Sequence, residues 1–390
     1  MSIWFSVHFG ALFLAVGIKT PFWPVWLDEK GMTAQQIGII LAVAFWGKVI
    51  TGFILTSLAD QEGKRKKFIV FISLAYLFGL IVLRFVDGYW PILTIWGIAG
   101  ALYAVAVPLS DSLSVIAIRR HGLNYGRVRL WGSITFILGT TTTGWMVGYS
   151  GANIVLDMLT LSGVLLVLSS MALPDLTQKR PLNVTFKDKL NATLKGLSAF
   201  GDVFKIKGFL AFALAAAFIQ SSHAVLYGFG TIYWREAGIS DGLIGLFWAE
   251  GVIFEIILFI FANKLWPYLN VRTALIIAGI AGILRWGVLA FSLDPVMIAV
   301  MQSLHALTFA ATHLAGIQYM SKFIPEDMTA RAQGAFDAII VGVVFGSMML
   351  VAGFLYKNYA GNSFLIMALS CAIGMLFLPW IGKTIKPTQA

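Results

Sequence analysis

Apolar stretches of bilayer-spanning length follow one another along nearly the whole chain. They fall near 3 to 27, 34 to 59, 68 to 86, 91 to 118, 128 to 149 and 152 to 173, and again near 208 to 234, 241 to 265, 271 to 292, 294 to 321, 330 to 356 and 360 to 381. About 20 such residues cross the hydrocarbon core as a helix. The pattern predicts an all-α membrane protein with twelve transmembrane helices in two sets of six. Composition agrees, because 59% hydrophobic and 12% charged residues over 390 positions leave too little charge to cover a soluble surface.

The net charge of +10 is unevenly distributed. Short basic turns such as Lys64 to Lys67, Arg119-Arg120 and Arg127 to Arg129 fall on one side of the predicted bundle, whereas Lys30, Arg235 and Lys357 fall on the other. Short loops rich in Lys and Arg stay cytoplasmic, so both termini are expected there. That asymmetry argues against nucleic acid as a partner. Cys371 is alone in an apolar run, so no disulfide framework is expected and its role is packing. The N-terminus lacks the cationic region of a cleaved signal and runs straight into an apolar segment too long for one, so it is expected to remain as the first helix.

An internal repeat divides the chain. Trp26-x-x-Glu29-x-Gly31-Met32-Thr33-x-x-x-Ile37-Gly38 returns 207 residues later as Tyr233-x-x-Glu236-x-Gly238-Ile239-Ser240-x-x-x-Ile244-Gly245. Thr33 and Ser240 are predicted N-caps of the second and eighth helices. The division places an N-terminal six-helix bundle at 1–173, a cytoplasmic linker at 174–206 and a C-terminal six-helix bundle at 207–390. Within the linker, Phe186, Leu190, Leu194 and Leu197 have the spacing of an amphipathic surface helix. Two pseudo-symmetric six-helix bundles related along the membrane normal resemble the major facilitator superfamily, whose substrate site lies between the halves.

A charged hairpin from Pro108 to Phe136 refines the resemblance. Asp111 lies two turns inside an apolar run, where an ionisable group is costly unless it is paired or faces a wet cavity. Arg129 is its nearest predicted partner. The run Tyr125-Gly126-Arg127-Val128-Arg129 follows Asp111 so that 18 residues separate acid and arginine. This is similar to the lactose permease group, where a carboxylate stands the same distance before a phenylalanine-glycine-arginine-x-arginine run. Arg129-Leu-Trp-Gly-Ser133 looks more like the 3-phenylpropionate permease branch of that group. The resemblance implies that Asp111 and Arg129 bind substrate, with Phe136, at the position of a sugar-stacking tryptophan, packing on the ligand.

The loop after the second helix, Thr56 to Arg65, resembles the superfamily signature in which a glycine, an aspartate and a basic turn hold neighbouring helices close. Asp60, Gly63, Lys64 and Arg65 are therefore read as gating elements. Thr56 replaces the usual glycine and Gln61 a usual cation.

Other ionisable residues at membrane depth are functional candidates too. His8 and Lys19 fall on one helix face, which is expected to line the cavity. The repeat offset sets Lys48 opposite Glu255, and this pair is expected to open and close during transport. Glu250 lies about 140° around the helix from Glu255, so only one of the two can face a given partner. His223, one turn before Tyr227, marks a polar face able to touch substrate. His313, eight residues beyond His305, is read as packing.

Arg285 precedes His305 by 20 residues, as in the lactose permease group, which implies a proton-coupling role for both. That group carries lysine, histidine and glutamate at three-residue spacing where this chain has Gln302, His305 and Thr308. The missing carboxylate leaves Glu255, Glu250 and Asp337, in that order, as acids able to load a proton in a dry site.

The resemblance implies a proton-coupled symporter importing an aromatic or related organic acid by alternating access, with Arg129, Lys19 and Lys48 as cations for its carboxylate. Arginine suits the task because its fork grips both oxygens. An oligosaccharide or nucleoside symporter is the alternative, since Asp111 suits hydroxyls, and a drug exporter ranks below both. No nucleophile and base at workable spacing suggests an enzyme. No cofactor and no metal is expected, and the partners are a small molecule, protons and the lipid bilayer around a functional monomer.

Overall fold

The computed structural model describes residues 1–177, 201–265 and 268–381. The proposed amphipathic run from Phe186 to Leu197 lies outside them. The described residues are helical throughout, with no strand. The first six helices are α1 (Ser2–Glu29), α2 (Ala34–Glu62), α3 (Arg65–Val82), α4 (Tyr89–His121), α5 (Tyr125–Ser150) and α6 (Ile154–Ala172). The later chain forms α7 (Phe209–Ser221), α8 (Thr231–Glu236), α9 (Asp241–Leu265), α10 (Val271–Phe291), α11 (Pro295–Ser303), α12 (Ala311–Phe323), α13 (Thr329–Asp337), α14 (Phe345–Tyr359) and α15 (Ser363–Leu376).

Ten segments among the described residues are long and apolar enough to span a bilayer. The last of them, Arg331–Trp380, is 50 residues long. The charged hairpin's second arm, α5, is helical over 26 residues but falls outside that set. Its two arginines and the run Thr140 to Thr143 lower its hydropathy without breaking the helix.

Three π-helical segments interrupt the later helices among the described residues. They are π1 (Leu226–Gly230), π2 (Ala306–Ala310) and π3 (Ala338–Val344). Such wide turns are rare and gather at functional sites. Here they begin at or shortly after His223, His305 and Asp337, which the 3.6-residue period does not anticipate.

The chain divides into two compact units, Met1–Thr193 with Tyr227–Ala249, and Leu194–Leu226 with Glu250–Ala390. The sequence division at 174–206 follows the repeat, whereas this grouping follows packing. In the first unit α1 lies along α5, and α4 packs on α2 and α3. Small residues allow the close approach typical of helices in lipid. A side chain at Gly17 would fall on the Phe136 backbone, and one at Gly139 on the backbone of Leu14. The same device attaches Tyr227–Ala249, because a Cβ at Gly245 would lie 2.6 Å from the Thr140 carbonyl oxygen.

The repeated loops share one mould. Thr33 caps α2 in a reciprocal box with Gln36. Gly31 and Gly238 both adopt positive φ, +76° and +83°. Gly31 N–H donates to the Asp28 carbonyl at 2.8 Å and Gly238 N–H to that of Arg235 at 2.9 Å. Met32 to Leu27 and Ile239 to Trp234 repeat the next bond at 3.1 and 3.0 Å. Every pair is related by the offset read from the sequence. The second loop borders a cavity of about 410 Å³ lined by Asp28, Arg235, Glu236 and Asp241, in which Arg235 and Asp241 pair at 2.7 Å.

In the second unit α10 packs against α15 and α12. Phe212 stacks on Tyr319 with ring centroids 3.9 Å apart and on Phe336 at 5.0 Å, forming an aromatic core to one side of the polar cluster described below.

Candidate functional site

In the first unit, the α4–α5 hairpin is closed by Gly122 at φ +64° and by Asn124, whose side chain accepts from the Arg127 N–H at 3.1 Å. This tight turn brings the start of α5 back against α4. The Tyr125 hydroxyl donates to Asp111 Oδ1 at 2.8 Å. Arg129 lies one turn on and acts electrostatically on both groups. Its guanidinium covers the Phe13 ring at 3.7 Å and stands 5.8 Å from the centre of Phe9. Arg129 thus stands with Asp111 electrostatically and hydrogen-bonds Tyr125, which donates to the acid, while its guanidinium rests on aromatic faces of α1.

Lys19 is half-buried over the Tyr103 ring at 4.9 Å and is close enough to Lys48 for the two cations to repel. His8 departs from the shared cavity face predicted for it. It is fully buried, 2.9 Å from Ser110 Oγ and 3.2 Å from Ser169 Oγ, because its stretch of α1 packs between α4 and α6. Phe136 is half-buried, and its backbone meets Gly17. Of the gating residues, Gly63 ends α2 at φ +68°, Lys64 is the residue before α3, and Arg65 Nε donates to Ser112 Oγ at 2.7 Å, beside Asp111. The Asp60 side chain lies outside the described residues.

In the second unit, Arg285 is fully buried on α10. Its Nη1 lies 3.1 Å from His305 Nδ1, 3.1 Å from Thr308 Oγ1 and 3.3 Å from His223 Nε2. Its Nη2 donates to Gln302 Oε1 at 2.5 Å, and the guanidinium lies 4.5 Å from the Trp286 ring centre. His305 Nε2 meets Glu255 Oε1 at 2.7 Å. Residues far apart in sequence thus form one cluster built by the segment between α7 and π1, by α9 and α10, and by the α11–π2 junction. Gln302 and Thr308, singled out as departures from the permease pattern, both bond to Arg285.

His223 belongs to this cluster and is buried against neighbouring helices, apart from Tyr227. The π1 turn begins at Leu226, and Tyr227 instead packs on Trp248 with centroids 5.5 Å apart. Glu250 is half-buried. Asp337 is exposed and accepts from Gln333 at 3.3 Å on its own helix. His313 meets Phe259 edge-on at an exposed position.

The profile of the MFS_1 like family matches residues 2–366. The chain belongs to that family. It is a secondary transporter of the major facilitator superfamily, a multi-pass membrane protein that takes a small-molecule substrate and is not an enzyme. This MFS_1 like chain is 28% identical over 383 residues to a probable 3-phenylpropionic acid transporter of Escherichia coli (strain K12), covering 96% of this chain and 97% of that one. It is 23% identical to the maltose permease of Geobacillus stearothermophilus, over 97% and 94% of the two chains. Among solved structures it resembles the nucleoside transporter NupG with a TM-score of 0.81 at 19% identity, over 98% and 99% of the chains. A D-xylose-proton symporter matches at 0.71 and 14% identity, over 98% of each chain. At these identities the structures establish the fold.

Proposed function

We propose that the protein is a proton-coupled symporter that imports an aromatic or related organic acid by alternating access. The observation that carries this reading is the charge of the first-unit site. In the first unit Lys19 stands near Lys48, and Arg129 near Asp111, whose carboxylate is already engaged by Tyr125, so the cations at membrane depth there outnumber the acids. A site with more cations than acids attracts an anion, and the guanidinium lying over Phe13 and Phe9 supplies an aromatic surface beside the charge. Phe136 extends that apolar lining. The 3-phenylpropionic acid transporter named above fits this chemistry.

In this reading Glu255, His305 and Arg285 form the proton-handling cluster, with Glu250 and Asp337 as secondary acids, and Asp60 to Arg65 act at the cytoplasmic gate. The protein works as a monomer in the bacterial inner membrane with both termini in the cytoplasm.

A second reading, a nucleoside or oligosaccharide symporter, draws on the Asp111–Tyr125 pair. A carboxylate and a phenol at 2.8 Å suit hydroxyl groups, and both classes occur among the similar proteins. Counterflow in vesicles holding the purified protein separates the readings. Labelled 3-phenylpropionate is expected to exchange and to accumulate when the outside is acidified. Exchange of labelled maltose or uridine instead would establish the second reading, and outward-directed flux would establish an exporter.

A further inference from the structure

We propose that an open groove beside α9 in the second unit is a binding site for an anionic phospholipid, whose acyl chain lies along the groove and whose headgroup meets Lys264. The groove holds about 570 Å³ between α9 and the α11–π2 segment. Phe254, Ile257, Phe261 and Leu265 form one wall, and Leu304 and Leu307 belong to the other. The four α9 side chains recur every three or four residues and are all exposed, so they present one continuous apolar face.

The internal repeat accounts for the opening. Its 207-residue offset sets Phe254, Leu304 and Leu307 at the places that Gly47, Gly97 and Gly100 hold in the first unit. Those glycines let α2 and α4 touch. An added Cβ would lie 2.6 Å from Ala101 Cβ at Gly47, 2.9 Å from Val43 Cγ1 at Gly97 and 3.2 Å from Ala44 Cβ at Gly100. Large side chains at the same three places hold α9 away from the α11–π2 segment and leave a trough where the first unit has a sealed seam.

Shape and charge select the occupant. Phe254 and Lys264 are ten residues apart, about 15 Å of helix, which is half of the roughly 30 Å hydrocarbon core and so the depth of one leaflet. At the deep end Ser303 Oγ donates to the Val300 carbonyl at 2.7 Å, which spends its hydrogen on its own helix. Lys264, in the last turn of α9, is the charged side chain of the lining, and its Nζ stands 5.8 Å from the centre of the Phe261 ring. Gln318 donates to the Leu269 carbonyl at 2.9 Å, which brings the end of α12 to the α9–α10 turn. Arg272 and Lys322 therefore lie at the same end of the unit as Lys264. Basic groups at the membrane surface beside an apolar trough fit a negatively charged headgroup, whereas a zwitterionic lipid gains the trough without the charge. The deep end stops at Leu304 and Ala306, on either side of His305, so the tip of the acyl chain rests next to the polar cluster.

Photolabelling of the full-length protein in phosphatidylcholine vesicles tests this, with a trace of phosphatidylglycerol carrying a diazirine in one acyl chain as the probe. Peptide mapping is expected to place the label on Phe254 to Leu265 and on Leu304 to Leu307. Phosphatidylcholine with the same diazirine chain is expected to label these segments roughly fivefold less, the share of one cation at a charged surface. Lys264→Gln should erase most of that difference, and Lys264→Arg should keep it. Leu307→Trp fills the trough and is expected to remove the label there while labelling of other lipid-exposed helices continues. Should that variant fail to fold, the two substitutions at exposed Lys264 still decide. Label spread evenly over the exposed helices, equal labelling by the two lipids, or a preference that survives Lys264→Gln in full would overturn the proposal. So would protection by 3-phenylpropionate, which would make the groove a substrate path, or by inorganic phosphate, which would make the Lys264 end a plain anion site.

Discussion

The Tyr125 hydroxyl donates to Asp111 across 2.8 Å, so the acid on α4 is satisfied from the first turn of α5 and Arg129 is left to act beyond it. An ionised acceptor that loses its donor costs about 1.5–3 kcal/mol. Tyr125→Phe should therefore weaken the apparent affinity for an organic acid by roughly ten- to a hundredfold, since about 1.4 kcal/mol is a factor of ten. The concentration dependence of labelled 3-phenylpropionate exchange measures it, and an unaltered half-saturation would remove Tyr125 from the site.

Arg129 combines charge with a planar face on Phe13. Lysine keeps the charge but neither the fork nor the stacking plane. Arg129→Lys is expected to abolish uptake, and Phe13→Ala to reduce it by the smaller amount of a lost cation–π contact, about 0.5–2 kcal/mol. Initial uptake rates for the two variants, at equal amounts in the membrane, give the comparison. Near-normal transport by Arg129→Lys would place the carboxylate elsewhere.

The contact of Gly245 with the Thr140 carbonyl leaves no room for a side chain. Gly245→Val should push the start of α9 away from α5, and overpacking of this kind costs about 1–3 kcal/mol. A cysteine introduced by Ser240→Cys should then react faster with a thiol reagent, by roughly 5- to 100-fold. Cys371 is buried and adds little background. Equal labelling rates with and without Gly245→Val would show that this contact does not hold the loop.

Gly31 and Gly238 have open space where a Cβ would go, so substitution there is costly through backbone conformation alone. Alanine in the left-handed region costs about 1–2 kcal/mol. Gly31→Ala and Gly238→Ala should lower the thermal midpoint of the purified protein by similar amounts, because the two loops share one bonding pattern. Clearly unequal shifts would mean that the loops bear different loads.

Much of this arrangement is legible in the residues themselves. The 207-residue offset, read from glycines, glutamates and hydroxyl caps, identifies two loops that share the backbone hydrogen bonds around Gly31 and Gly238. The spacing of Arg285 and His305, together with the lack of an acid at Thr308, directs attention to Glu255, which the structure sets against His305. Tyr125 also left a signal, a hydroxyl added where the permease pattern has phenylalanine. What a fixed 100° turn cannot reveal is the wide turn at Leu226, which separates Tyr227 from His223 and sends that histidine into the Arg285 cluster. Nor does periodicity distinguish the direction in which His8 is buried, since the serines that bind it are on helices distant in sequence.

The wide turns have a mechanical consequence. A helix that holds one surplus residue in a single turn contains a dislocation, and moving that dislocation along by a residue swivels the intervening side chains by about 100° without melting the rod. With such a defect beginning next to His305, moving it by one residue would swing the ring that touches Glu255 toward or away from its acid.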